Sequence, residues 1–445
     1  MKNTTWTALL LILQILFAQN ISSQCSESSY SFGTQNEVDN FPSQHPNCTE
    51  IPGNLIILES SITNLDSLYQ IVSVGNRISI RGNSQLENLN GLSNIISSKD
   101  LEISNNDNLI NASGIANIQE LDGTFVLVSN PRLQTFVGLN LPENIDKVIV
   151  ADNDSIFYLN AFNDAIEINN FTAIRNNPRL SSLDICKSAK NIENITIEGL
   201  DRLIDFSGLD SLLVADTIRI IDNEQLILLP ALSKLITIDG QLIIKNNDTL
   251  LLTDEFSNLQ YINDGLIIEN NRNLKHFVEG NKLEIIGERV EFVSNQNLEN
   301  IDVLANLDYN LTDTLLLLEN ASLSTCGNRY VCDLIRDASK YHQISNNQIG
   351  CNTAEEILDW CLVDVNDIGT TVVSIYPNPV SERLYIDIVN EAPPIRSIEI
   401  FNSLGHSIIY QEGITDYIST NHLLTGQYFI QIHLADRIIT STFIK

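Results

Sequence analysis

Basic residues are scarce in this 445-residue chain: 25 Lys and Arg face 56 Asp and Glu, a net charge of −31. Binding to nucleic acid or to an anionic bilayer needs clustered cations, so this imbalance argues against both and fits a soluble, self-repelling extracellular protein. Histidine is also thin. Of the six (His45, His276, His342, His406, His422, His433), only His276 falls in the long repetitive region below, which leaves little for a histidine-based site there. There is no DxDxDG-type calcium loop, and the later cysteine cluster has no CxxC pair of the kind zinc favours. No metal or other cofactor is expected. Membrane-length apolar runs are missing too. The one early run, from Ala8 to Phe17 after Lys2, is too short to span a bilayer and reads as a secretory signal over residues 1–18, cut after Ala18. Cys25 follows Ser22, Ser23 and Gln24, not the small apolar residues that precede a lipid-anchored cysteine.

What is present is a repeat. A strand-like alternation followed by Asn-x-x-Leu or a near variant recurs at Asn83, Asn106, Asn130, Asn153, Asn177, Asn223, Asn247, Asn271, Asn295 and Asn320, with a lapse at Leu200. The closing apolar residues run from Ile62 through Leu86 to Leu323 at intervals of 23–25 residues, giving about twelve coils of about 24 residues over residues 55–323. So short a period has no room for a full helix beside strand and corners. The implied fold is mainly β, a parallel solenoid with coils stacked about 4.8 Å apart. Apolar pairs five and three residues before each Asn, such as Ile78 with Ile80 and Leu242 with Ile244, would face the core. The recurring Asn is read as an inward structural ladder. It would tolerate the unusual backbone of a corner, bond main-chain groups freed by the bend, and satisfy the coil above. A row of ligand-binding amides is the functional alternative.

A stack of strands has two open ends, and cysteines flank both. Residues 19–54 are expected to cap the start, with Cys25 bonded to Cys48, and residues 324–361 the end. Four cysteines at the second cap allow three pairings, of which Cys326–Cys351 with Cys332–Cys361 is the one adopted. The sequence there suggests helix over residues 333–342, and again over 353–360 after a cap at Asn352 and Thr353. Cys186 is left over and reads as a small buried residue. A polar linker is expected at 362–371, then Pro- and Gly-punctuated strands over 372–445, a small Ig-like β-sandwich.

Two resemblances follow. The tail carries Tyr376-Pro377-Asn378-Pro379-Val380, a Phe401–Gly405 turn, the Leu423-x-x-Gly426-x-Tyr428 pattern and a terminal Phe443-Ile444-Lys445. These resemble the C-terminal sorting domain of the type IX secretion system of Bacteroidota. That implies recognition by the secretion machinery, passage through the periplasm, and release or attachment at the cell surface. The repeats, through the segments at Gly91 and Gly208 and the NPRL corners, resemble the receptor L domain, a right-handed parallel β-helix with leucine-rich-repeat-like coils. Six coils per unit implies two fused units, 55–199 and 200–323, with a ladder break and a bend near Leu200. Asp-Ser/Thr-apolar triplets resemble an O-glycosylation signal of Bacteroidota, with Ser67, Ser155, Ser211, Thr217, Thr249 and Thr314 as acceptors.

Corner carboxylates such as Asp107, Asp154, Asp222 and Asp248 read as turn chemistry that does not gather with Lys or Arg. Apolar residues at outward strand positions are more suggestive: Val126, Val128 and Ile149 in one group, Ile221, Ile243 and Ile267 in another. An exposed apolar patch marks a binding surface, although β-propensity or a covering loop would also explain them. The expected function is therefore a non-enzymatic binding or adhesion protein that meets a glycan or protein at the cell surface. Alternatives are a carbohydrate-active β-helix enzyme (lyase or hydrolase) and a structural surface-layer component.

Overall fold

The computed structural model describes residues 25–137, 144–160, 167–183, 188–204, 209–229, 232–251, 256–277, 282–365, 372–377, 379–389, 395–402, 405–413, 417–434 and 438–445. The signal segment 1–18, residues 19–24, Cys186, Gly208, residues 366–371 and Asn378 lie outside the described residues. The chain forms two compact units, Met1–Leu358 and Asp359–Lys445.

The first unit is built on a parallel sheet of 18 strands. Each repeat supplies one principal strand, paired in parallel with the same strand of the next repeat. The pairing runs from Tyr30–Phe32 through Leu55–Leu58, Ser73–Arg81 and Ser97–Ser104 to Thr312–Leu318 and Tyr341–Ser345. Partners lie 23 to 27 residues apart, so a one-coil offset is kept along the whole stack. The alternation explains it. Ile78 pairs with Leu101 and Ile80 with Ile103, all fully buried, while Ser79 and Glu102 between them face outward. Burying each such aliphatic side chain contributes about 1.5–3 kcal/mol. Two positions of the inward column break the rule: Thr172, between Val148 and Ile195, is buried with no partner for its hydroxyl, and His342, beside Leu315, has a buried Nδ1 with none.

On another side the backbones nearly touch. A Cβ at Gly91 would lie 1.7 Å from the Leu65 carbonyl oxygen one coil earlier, so nothing larger fits beside that turn.

Both ends differ from the sequence reading in one respect: each adds strand. Tyr30–Phe32 and Glu50–Ile51, inside the expected first cap, pair into the parallel sheet. The helix Gln35–Gln44 packs its buried Val38 and Phe41 there, with Phe41 edge-on to Tyr30 and Phe32. Cys25 is bonded to Cys48. At the far end the helix expected over 333–342 is instead Arg329–Arg336, and Tyr341–Ser345 is a strand. The Asp337 carboxylate accepts from the Ser339 backbone and hydroxyl, a local turn that competes with helix, and Ile344 then pairs with the core residue Leu317. The 27-residue offset of that coil makes room for the helix. Cys326 is bonded to Cys351, and Cys332 and Cys361 are each disulfide-bonded. A last helix, Ala354–Val365, has the Thr353 hydroxyl accepting from the Glu356 N–H. It runs four residues into the expected linker, because no Gly or Pro interrupts the chain before Gly369.

The second unit is antiparallel. Val372–Tyr376, Arg383–Val389 and Ile418–Ser419 form one sheet; Ser407–Glu412, Ser397–Asn402, Gln427–His433 and Ile438–Ile444 form another. Leu384 and Ile418 of the first join Ile398, Ile400, Ile430, Ile432 and Phe443 of the second in one buried cluster.

Candidate interaction surfaces

The corners repeat one arrangement. Asn247 donates from Nδ2 to the carbonyls of Ile220 (3.0 Å) and Lys245 (2.9 Å) and to Oδ1 of Asn271 (3.3 Å), while its own Oδ1 accepts from the Asn223 N–H and Nδ2. Asn83, Asn106, Asn130, Asn153 and Asn177 form one such series and Asn223, Asn247, Asn271, Asn295 and Asn320 a second, all buried. The second series gains a member, Asn347, whose Oδ1 accepts from Asn320. Its phrase closes on Gly350 instead of Leu, which hides it in the sequence. Between the series stands Leu200, which keeps its N–H bond to Asn223 Oδ1 but offers no amide to Asn177. The sheet crosses this point in register, Arg175 to Glu198 to Ile221.

The unusual backbone does not belong to the ladder Asn, as the sequence reading has it, but to the residue before it. Asn105, Ser129, Asp152, Asn176, Gly199, Asp222, Asn246, Asn270, Ser294, Glu319 and Asn346 all have φ near +60°. The left-handed residue makes the corner, and the Asn turns in beneath it to bond the groups that the corner frees. Since the ladder residue points inward, its two neighbours project outward. Stacked coil on coil, these neighbours make two parallel rails.

Along the later coils the rails enclose a groove of about 950 Å³. One rail is Asp222, Asn246, Asn270, Ser294, Glu319 and Asn346; the other is Glu224, Asp248, Arg272, Gln296 and Ala321. Asn246 donates to Asp222 (2.8 Å), and Ser294 to Glu319 (2.8 Å). Arg272 pairs with Asp248 at 3.8 Å, both largely exposed, so the corner carboxylates do gather with a cation here, contrary to the sequence reading. A period-24 stack places these two residues on adjacent coils. Among the described residues, the side-chain amides of Asn270 and Gln296 have no hydrogen-bond partner in the protein. Four carboxylates against one guanidinium leave the groove electronegative.

The outward strand positions lie in two adjoining columns. Glu102, Val126, Ile149, Ala173, Thr196, Arg219, Ile243, Ile267 and Glu291 form one; Val128 and Ile221 belong to the next, beside Ala151 and Lys245. Val126, Val128, Ile149 and Ile221 are half-buried. Ile243 (9%) and Ile267 (6%) are buried, which corrects their reading as an exposed patch. Their register sets them among Arg219, Glu291 and the Lys245–Glu269 ion pair, long side chains whose stems shield apolar neighbours. Exposed aliphatics gather elsewhere: Ile204, Ile227 and Leu251 follow one another on successive coils beyond the ladder corner. Of the six glycosylation-like acceptors, Thr217 is buried, and its hydroxyl accepts from the Gln241 N–H.

Among the described residues, no group of three or more His, Cys, Asp or Glu is placed to hold a metal ion, and no helix is long and apolar enough to cross a membrane.

In the second unit the chain terminus is tied down. Gly426 and Lys445 exchange backbone hydrogen bonds, and Lys445 Nζ donates to the Ser381 carbonyl. Tyr428 stacks on Phe443 and donates to the Leu424 carbonyl. Gly405, at φ +77°, turns between two strands, and Tyr376, before Pro377 and Pro379, is exposed and stacked on Tyr385. A small antiparallel unit, closed on its own last residue and distinct from the repeats, has the character of an appended module. Residues 374–445 match the family described as the secretion system C-terminal sorting domain. The protein is thus exported, secreted or attached at the cell surface, and its tail engages the type IX secretion machinery. No curated protein significantly matches the chain.

Proposed function

We propose that this protein is a binding module, delivered by its sorting domain, whose later coils hold an extended ligand in the corner groove. The carrying observation is the pair of rails: six successive coils from Asp222 to Asn346 set polar side chains along one side of a channel, and Glu224, Asp248, Arg272 and Gln296 set them along the other. The stack is read as a right-handed parallel β-helix of receptor-L-like coils, and the tail as an Ig-like sandwich. In this reading the protein works at the cell surface in binding or adhesion, after periplasmic transit, and its carboxylates recognise rather than catalyse. A screen of the exported protein against surface glycans and surface proteins tests it, repeated with Ala321→Trp, which puts an indole into the groove from an exposed position. Binding that survives the indole unchanged would remove the groove from the proposal. Deleting residues 374–445 should trap the chain in the periplasm; normal surface display of the truncated protein would defeat the export half.

The Asp248–Arg272 pair beside Asp222 and Glu224 is the observation that favours a second reading, a carbohydrate-active enzyme. Release of reducing or unsaturated sugar ends from a bound polysaccharide, lost in Asp248→Asn, would decide for it.

A further inference from the structure

The groove has a period, a length and a charge, and together these narrow its ligand. Each coil adds one residue to each rail, and the backbone locks the spacing: the N–H groups of Asp222, Asn246, Asn270, Ser294 and Glu319 each donate to a carbonyl of the following coil. Successive rail positions are therefore about 4.8 Å apart, and the span from Asp222 to Asn346 is about 24 Å. An extended peptide does not match that step, because its side chains alternate with a shorter rise per residue. A pyranose unit of a linear glycan advances by nearly one coil. Each sugar would then meet one pair of rail side chains.

The chemistry of the rails agrees. Asn270 and Gln296 present free amides on neighbouring coils and opposite rails, each able to donate and to accept, as a sugar hydroxyl requires. Asp222, Glu224, Asp248 and Glu319 add acceptors, while their charge repels uronates, sulfates and phosphates. Arg272 is already paired with Asp248, leaving little to hold an anion.

We infer that the groove takes a linear glycan free of acidic groups, about five sugars long, laid along the axis of the stack, one sugar per coil. This rests on the binding-module reading above. The experiment is calorimetric titration of the exported protein with neutral linear gluco-, manno- and xylo-oligosaccharides of two to seven units, with polygalacturonate as the acidic comparison. Affinity should climb at least tenfold between two and five units and then level off. Asn270→Ala and Gln296→Ala should each weaken binding several-fold, Asp154→Ala on the earlier coils should leave it unchanged, and Ala321→Trp should abolish it. A flat dependence on length, or tighter binding of polygalacturonate that Ala321→Trp still abolishes, overturns the glycan assignment while leaving the groove as the site. Binding that Ala321→Trp does not affect overturns the groove itself. No binding to any member of the panel overturns the assignment, and the screen with surface proteins then bears on the groove separately. Thermal unfolding of each variant alongside the parent separates lost binding from lost fold.

Discussion

The coils before Leu200 and those after it share one period, one inward ladder and one sheet register, yet only the later set encloses the groove. The difference lies in residues the core does not specify. On the earlier rails stand Gly82, Pro131, Pro178 and Gly199, which offer no polar side chain, whereas every position from Asp222 to Gln296 carries one. The inward residues hold both halves to one shape, so their outward neighbours are free to differ. A fold of this kind separates support from recognition coil by coil.

The break at Leu200 gives the comparison its strongest test. Asn247→Leu removes three donated bonds and leaves the Asn223 N–H unpaired inside the stack, a loss of about 3–4 kcal/mol. Leu200→Asn does the reverse: it gives up apolar burial but offers an oxygen to Asn177, and should change stability by less than about 1 kcal/mol. Denaturant midpoints of the two variants measure this. Equal losses would mean that the ladder amides fill space without carrying the corner.

Much of this was legible because its period is fixed by packing. The strand faces, the ten Asn positions and the lapse at Leu200 follow from residues that must be repeated. The groove was not legible. The left-handed corner residue is variously Gly, Asn, Asp, Ser or Glu, so no single letter marks it, and its side chain answers to no constraint from the core. Asn347 escaped because its phrase closes on Gly350 instead of Leu, in a coil whose offset from the one before is 27 residues. The six outward apolar residues fall in two adjoining columns instead of two patches, and the burial of Ile243 and Ile267 depends on neighbours from four different strands. The tail was legible from short motifs, whose spacing is set by the tight turn at Gly405 and by the pairing of Gly426 with Lys445.

A smaller effect probes the core of the two halves. In the earlier coils Thr172 occupies an inward position that Ile218, Leu242 and Leu266 fill later, and its hydroxyl is buried without a partner. Thr172→Val keeps the shape and removes that group, and should stabilise the protein by about 1 kcal/mol. The matching change at a hydrogen-bonded threonine, Thr312→Val, should destabilise it, because Thr312 donates to the Ile286 carbonyl and contacts the Tyr330 hydroxyl. Thermal melts of both would show opposite signs; a loss in Thr172→Val would mean that the hydroxyl has a partner after all.

The smallest expected effect separates the two ends by pH. At the first cap the Glu37 carboxylate accepts from the Gly33 and Thr34 N–H groups, which hold its pKa below the ordinary 4.5. A carboxylate lowered in the folded state stabilises it at neutral pH, and that contribution fades as pH falls below 4.5 towards the folded-state value. At the second cap burial raises the Tyr330 hydroxyl well above its ordinary 10, with the Thr312 contact opposing in part. A tyrosine raised in this way is neutral in the fold, so stability falls only as pH climbs past 10. Hydrogen exchange should therefore show the Gln35–Gln44 helix loosening first in acid and the Arg329–Arg336 helix first in alkali. Glu37→Gln should blunt the acid response and Tyr330→Phe the alkaline one, each at its own end. Were both ends to open together at either extreme, the stack would be unfolding as one cooperative body, and the division into earlier and later coils would describe surface chemistry without describing stability.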